Sequence, residues 1–259
     1  MALLSGCSTG PVNIALSMNR LDSPEANGKL FAGRVHGGHR SEHKITLTPD
    51  YGIFLINSSK PDINSVSQWG MGGGLGLLDR LDGDVKLEAD TPAIVQLKYQ
   101  LFGATRREAP KSGFSAAVTA GYGHESQGAS GETFLGTQRG TYSLKGSLYD
   151  FSLILGYRFN EETLLYGGPA ATFVEYQGDQ ALFGQASTHF GGHITHQLAH
   201  VGVIYTPRQL IEPPKRTDGK TQYGGEGLFF QPEISLADLE VQKTKKMHLN
   251  GAINVGAMW

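Results

Sequence analysis

Two residues that could hydrolyse an ester stand two positions apart, His124 and Ser126, directly after a predicted strand that ends near Tyr122. A serine hydroxyl becomes a nucleophile when a histidine accepts its proton, and that histidine needs a carboxylate to orient it. Glu132 follows and could supply the carboxylate. His124 and Ser126 have the same parity as Tyr122, so an extended strand would place all three on one face. These residues define a candidate serine hydrolase site.

The His-x-Ser spacing at a strand end resembles the active site of outer-membrane lipid A 3-O-deacylases. The resemblance implies that His124 and Ser126 lie on the lipid-facing wall of a barrel. Gln127 follows the serine, however, where that family usually has asparagine, and this chain is longer than the small barrels of that family. The glycine-rich run 128–131 is typical of a polar loop. We therefore expect no catalytic site and retain a lipid-modifying hydrolase as an alternative.

Four histidines lie in one predicted strand, at His189, His193, His196 and His200. Alternation separates them into two pairs on opposite faces, and His196 and His200 are expected to face inward. Within each pair the spacing of four residues corresponds to about 13 Å on a strand, too far for one metal ion. We predict no metal site.

The sequence contains one cysteine, Cys7, which excludes an intrachain disulfide. The run Leu4-Ser5-Gly6-Cys7 resembles the bacterial lipobox, in which a signal peptidase cuts before a cysteine that then carries acyl chains. The resemblance implies covalent lipid on Cys7, and Ser8 in the following position implies export to the outer membrane. The six residues before the cysteine are too few for a signal peptide, so we interpret the start as truncated or misplaced. We predict no other cofactor.

The elements that would position these residues are strands, because apolar and polar residues alternate with period two from residue 69 onward. In the run 93–102, Val95, Leu97, Tyr99 and Leu101 share one face and Gln96, Lys98 and Gln100 the other. The alternation predicts an all-β fold. The predicted strands are 30–37, 43–48, 52–57, 69–78, 82–88, 93–102, 113–123, 143–158, 163–176, 190–206, 225–238 and 246–259.

Twelve strands predict an antiparallel transmembrane β-barrel with both termini on one side. Ten strands with an N-terminal segment outside the barrel, or eight strands, are the alternatives. We divide the chain into an N-terminal tether with the lipobox remnant, residues 1–28, and the barrel, residues 29–259.

Three features favour lipid around this barrel. The last strand places Val255, Ala257 and Trp259 on one apolar face, which resembles the terminal strand that the barrel-assembly machinery recognises in outer-membrane proteins. Glycines at 70, 72, 74 and 76 share one face, which suits a lumen wall approached by a bulky inner group. The opposite faces carry charges, and we predict a lumen lined by Asp84, Lys86, Glu88, Gln96, Lys98, Gln100, Arg158 and Glu233. That row mixes both signs, so a pore and a salt-bridged plug remain open.

Composition narrows the partners. The net charge of −2 gives the chain no overall positive charge that would attract nucleic acid. The sequence also contains no run of about 18 apolar residues, the length that a membrane-spanning helix needs. We therefore expect a non-enzymatic outer-membrane lipoprotein of a Gram-negative bacterium, either a narrow solute channel or a structural or assembly component. The expected partners are the bilayer, lipopolysaccharide, the barrel-assembly machinery and a small solute or an envelope protein. A soluble β-barrel that binds a small apolar ligand is a further alternative.

Overall fold

The structure is a computed structural model. It describes residues 12–47, 61–88, 90–108, 112–132, 138–182, 187–207, 216–217, 220–221, 227–242 and 244–259. Among these residues no helix is long and apolar enough to cross a bilayer.

The described chain is antiparallel β-structure with one turn of 3₁₀ helix at Arg106–Glu108. The strands are β1 (Val12–Ser17), β2 (Gly33–Leu47), β3 (Asp62–Leu78), β4 (Leu81–Glu88), β5 (Ile94–Phe102), β6 (Gly113–Glu132), β7 (Gln138–Arg158), β8 (Thr163–Leu182), β9 (Thr188–Tyr205), β10 (Arg216–Thr217), β11 (Lys220–Thr221), β12 (Gly227–Val241) and β13 (Thr244–Met258).

Ten of these strands close a barrel in the order β2-β13-β12-β9-β8-β7-β6-β5-β4-β3, and β3 pairs back onto β2. β1 is an additional strand on β2, and β10 and β11 form a separate two-stranded hairpin. The predicted all-β antiparallel barrel is confirmed, and its strand count of twelve is not: the closed ring has ten strands.

The count differs because predicted strands 30–37 and 43–48 are one strand, β2. The Gly38–Glu42 stretch between them is polar, which predicts a break between two strands. In the structure, β2 pairs with β3 through this stretch without interruption. Predicted strand 52–57 lies outside the described residues. β1 was not predicted.

The two ends of the barrel are called the lower end and the upper end. At the lower end Gly33 and Trp259 exchange backbone hydrogen bonds of 2.9 and 3.0 Å. At the upper end β2 reaches Leu47, where it pairs with Val12 of β1.

In the lower part of the barrel the usual polarity of a soluble protein is reversed. Along β7, Phe151, Leu153 and Leu155 point outward and are exposed, whereas Asp150 and Ser152 point inward and are buried. On β12, Ile234 is exposed beside buried Glu233. Alternation alone produces this pattern, because successive side chains of a strand point to opposite faces.

In the upper part the same strands have the opposite polarity. Leu144 and Leu148 of β7 are buried inside while Ser143 and Lys145 are exposed. These leucines belong to an apolar cluster to which five ring strands contribute: Ile94, Leu144, Leu148, Val174, Tyr176, Ile194, Leu239 and Val241.

The cluster is completed by Ile14, Leu16, Ile45 and Ile63 from β1 and the upper parts of β2 and β3. β13 pairs with β2 only from residue 34 to residue 39, and above that level β1 takes its place along β2. β3 likewise leaves β4 above Gly70. The three strand segments therefore form a flap whose apolar face packs inside the upper end.

The glycine row on β3 lies on the inner wall and is buried. A Cβ on Gly72 would come within 2.8 Å of the His36 ring, and a Cβ on Gly74 would collide with the Asp84 carboxylate. Glycine is required there because inward-facing side chains of neighbouring strands cross this part of the wall.

Candidate functional site: a lumen filled by the N-terminal segment

The lower lumen is occupied by residues 18–27, here called the lumen segment, which connects β1 at the upper end to the start of β2 at the lower end. All ten residues are buried. The sequence places Arg20, Asp22 and Glu25 within this short stretch, and each finds a charged partner on the barrel wall. The predicted N-terminal tether, residues 1–28, therefore contains a segment that lies inside the barrel rather than outside it.

Arg20 anchors the upper part of the lumen segment. Its guanidinium forms an ion pair with Asp150 of β7 and donates a hydrogen bond of 3.1 Å to Thr172 of β8. The backbone N–H groups of Arg20 and Leu21 donate to the two carboxylate oxygens of Glu233 at 2.7 and 2.8 Å. Glu233 thus accepts main-chain hydrogen bonds that an extended segment would otherwise leave unmade.

Asp22 lies between two cations of the opposite wall. Lys86 Nζ is 2.8 Å from its carboxylate and Arg34 Nη2 is 3.7 Å away. Arg34 also donates to Asp84 at 3.0 Å. The predicted lumen residues Asp84 and Lys86 therefore belong to a network of alternating charges that the lumen segment completes.

The lower part of the segment is held by Glu25. Arg158 donates two hydrogen bonds to its carboxylate, at 2.8 and 2.5 Å, in the parallel geometry that strengthens arginine–carboxylate pairs. Gln100 accepts from the N–H of Ala26 at 2.7 Å, and Lys98 donates to the carbonyl of Glu25 at 3.0 Å while pairing with Asp82.

The structure describes all eight residues that were predicted to line the lumen. All eight side chains are buried and face the inside of the barrel. Five of them contact the lumen segment: Lys86, Lys98, Gln100, Arg158 and Glu233. Glu88 pairs with Arg40 at 2.7 Å, and Gln96 is buried nearby on β5. Sequence reasoning missed the residues that meet them, above all Arg20, Asp22 and Glu25. The available signal was the presence of three charged residues within six positions of a stretch with no strand alternation.

The four histidines of the predicted strand lie on opposite faces of β9. His196 and His200 are buried inside, and His189 and His193 are exposed outside. His43 of β2 joins His196 at 3.2 Å and His248 at 2.6 Å through its two ring nitrogens, so these rings form a chain rather than converging on one point. Among the described residues no group of three or more histidine, cysteine or acidic side chains is arranged to hold a metal ion.

The candidate hydrolase residues lie outside. His124 and Ser126 are exposed on the outer face of β6. The neighbour directly opposite His124 is Ser147 of β7, whereas Ser126 is opposite Lys145. The backbone of Glu132 belongs to β6, and its side chain lies outside the described part of the structure, as does Cys7. The structure therefore brings a serine next to His124, but a different one from the serine predicted.

At the C-terminus, Val255 and Trp259 are exposed on the outer face of β13 and Ala257 is half-buried between them. Trp259 is tied to Gly33 through the backbone, so the last residue helps to close the barrel at its lower end.

Comparison with known proteins gives two structural likenesses. The attachment invasion locus protein Ail of Yersinia pestis is similar at a TM-score of 0.33 and 11% identity, over 89% of this chain and 98% of Ail. The outer membrane protease OmpT from Escherichia coli is similar at a TM-score of 0.28 and 10% identity, over 99% of this chain and 97% of OmpT. No protein-family model and no curated protein sequence matches the chain. What the chain does therefore has to be argued from its own residues.

Proposed function

We propose that this protein is a structural or assembly component of a Gram-negative outer membrane: a barrel whose lumen is closed by its own N-terminal segment. The observation that carries the proposal is the complete burial of residues 18–27 among paired charges on the barrel wall. Of the two roles that the sequence left open, this favours a plugged scaffold over a narrow solute channel.

The inverted polarity of the lower barrel supports a membrane location. Its outer wall is a continuous apolar surface, far larger than the patches that soluble monomers expose. On β6 the apolar outer positions run from Phe114 to Tyr122, about 27 Å of strand, which matches a tilted crossing of the apolar band of an outer membrane. A soluble barrel that binds an apolar ligand would have its apolar face inside at this level, where this barrel has charges.

The charges of the lumen support closure rather than conduction. A ten-stranded barrel has a narrow interior, and here the space is taken by backbone and side chains of the lumen segment. Above it, the apolar cluster that the flap and the ring strands share forms a second layer of buried apolar side chains. A hydrated ion would have to displace both layers.

Single-channel recording in planar bilayers tests this closure. We expect the wild-type protein to insert without current steps, since both layers are in place. The triple variant R20A/D22A/E25A removes the three charged anchors and is expected to conduct or to flicker. The matched control E240A/K245A removes an ion pair that is exposed on β12 and β13 and should stay silent. Regular current steps from the wild type would overturn the plugged scaffold and favour the channel.

We also propose that Cys7 carries lipid and that this lipid lies near the upper end. Val12 pairs with Leu47 there, and five residues of extended chain reach at most about 18 Å, so Cys7 stays near that end. Because the last strand resembles the terminal strand that the barrel-assembly machinery recognises, we propose that the lower end, with Trp259, faces the periplasm. The lipid on Cys7 would then enter the outer leaflet of the membrane.

Labelling with a radioactive fatty acid, followed by protease treatment of intact cells, tests this arrangement. We expect wild-type protein to be labelled and Cys7→Ala protein to be unlabelled. A protease site inserted between residues 11 and 12 should be cleaved from outside, whereas one inserted between Asn160 and Glu161, at the lower end, should be protected. Cleavage only after the outer membrane is broken would contradict the outer-leaflet tether.

A further inference from the structure

Strands β6 to β9 extend above the apolar band. Their outer face changes from apolar to polar between one outward-facing residue and the next. Tyr122, Tyr149 and Phe173 are exposed neighbours on β6, β7 and β8, and the Tyr122 and Tyr149 rings lie 5.7 Å apart. Two residues further along each strand the outer positions are all polar. Aromatic side chains mark the boundary between hydrocarbon and headgroups. The polar positions therefore lie at headgroup depth.

These polar positions form two rows in register across four strands. The lower row is His124, Ser147, Glu175 and His193, each directly opposite the next. The upper row is Ser126, Lys145, Gln177 and Gly191. Side chains of directly opposed residues lie about 5 Å apart at their Cβ atoms, so the lower row is a continuous line of polar groups and the upper row is polar up to Gly191. We call these eight residues the shelf.

The shelf has a depression with a volume of about 400 Å³, bordered also by His189. Gly191 contributes no side chain and leaves space above its backbone. Asp179 is within hydrogen-bond distance of the His189 ring, at 3.1 Å, and Glu175 lies near His193, at 4.0 Å. A histidine that donates one ring nitrogen to a carboxylate presents the other to a ligand.

Lys145 and the imidazoles can donate to phosphate oxygens, whereas Glu175 and Gln177 can accept from hydroxyl groups. A surface for bare phosphate would be mainly basic, and this one mixes donors with acceptors. We propose that the shelf binds the phosphorylated sugar headgroup of lipopolysaccharide, with the acyl chains lying against Tyr122, Tyr149 and Phe173. The proposal rests on the proposed membrane function and on the upper end facing outward.

Native mass spectrometry of the full-length protein in detergent tests the proposal, with lipopolysaccharide that lacks the O-chain as the probe. We expect the wild type to retain lipopolysaccharide in preference to phosphatidylglycerol, which offers phosphate without the sugar. The double variant K145A/H193A loses two charge-capable donors and should retain about tenfold less. E240A/K245A, an exposed pair on two other strands, should retain as much as the wild type.

Equal retention by wild type and K145A/H193A would overturn the shelf, and so would equal retention of phosphatidylglycerol and lipopolysaccharide. The migration shift between unboiled and boiled samples on a gel separates this failure from failure of the proposed function. A variant that keeps the shift but loses lipopolysaccharide supports the shelf on a folded barrel. Wild-type protein that stays in the aqueous fraction without detergent overturns both.

Discussion

The lower and upper halves of this barrel have opposite polarity, although the same strands form both. In the lower half of β7, Asp150 faces inward and Leu153 outward; in the upper half, Leu148 faces inward and Lys145 outward. The lower half has an apolar outer wall around a charged lumen, and the upper half has a polar outer wall around an apolar core. With the proposed membrane location, the change of polarity marks the boundary between the bilayer and water.

The difference in polarity also explains why different kinds of side chain fill the lower and the upper lumen. The lower lumen holds ionised side chains that must be paired, so the lumen segment supplies complementary charges. The upper lumen holds isoleucines and leucines, so the flap supplies an apolar face. One N-terminal stretch, residues 12–27, provides both, with Ile14 and Leu16 in one layer and Arg20, Asp22 and Glu25 in the other.

The largest effect is expected where a buried charge loses its partner. Arg20→Ala leaves Asp150 buried with a hydroxyl partner, Thr172, but no cation, and should lower the free energy of unfolding by about 3–5 kcal/mol. Urea titration, followed by the gel shift of the folded barrel, measures it. The double variant R20A/D150N should regain part of the loss, because the unpaired charge is gone. A loss below about 1 kcal/mol for Arg20→Ala would show that the lumen is hydrated and weaken the contrast between the halves.

The boundary between the halves can be located with lysine substitutions on one strand. Leu153 points outward in the middle of the apolar band, and Leu153→Lys should cost about 2–4 kcal/mol in a lipid environment. Ser143 points outward in the upper half, and Ser143→Lys should change stability by no more than about 0.5 kcal/mol.

Unfolding from lipid vesicles measures both variants under the same conditions. If water surrounded both levels, lysine at position 153 would cost no more than lysine at 143. Equal effects would therefore remove the membrane from the interpretation of the inverted polarity.

The sequence allowed the lower half to be predicted more completely than the upper half. Alternation identifies faces, and in the lower strands the polar face carries charges such as Lys98 and Arg158 that mark the lumen. At the inversion the parity of the apolar residues reverses, so β6 and β8 were predicted to end near residues 123 and 176. The structure continues them to Glu132 and Leu182.

The lumen segment could not be predicted for a different reason. Residues 18–27 have no period, because their charged side chains pair with separate parts of the barrel wall. Arg20 pairs with Asp150 of β7, Asp22 with Lys86 of β4, and Glu25 with Arg158 at the lower end of β7. Such pairings depend on closure of the ring, which brings distant strands together. Ser147 was missed in the same way, since its position opposite His124 follows from register between strands and not from spacing along the chain.

A smaller effect than that of Arg20→Ala or Leu153→Lys is expected when a single methylene is removed from the upper core. Ile45 is fully buried between the flap and the ring, and Ile45→Val should cost about 0.5–1.5 kcal/mol, the usual range for this change in a packed interior. Val35, on the exposed outer face of the same strand, gives the matched comparison, and Val35→Ala should cost less than Ile45→Val because lipid can fill the vacated space. Urea titration of both variants gives the order. If Ile45→Val had no measurable effect, the flap would not be packed as a core, and the upper half would be an open vestibule above the charged plug.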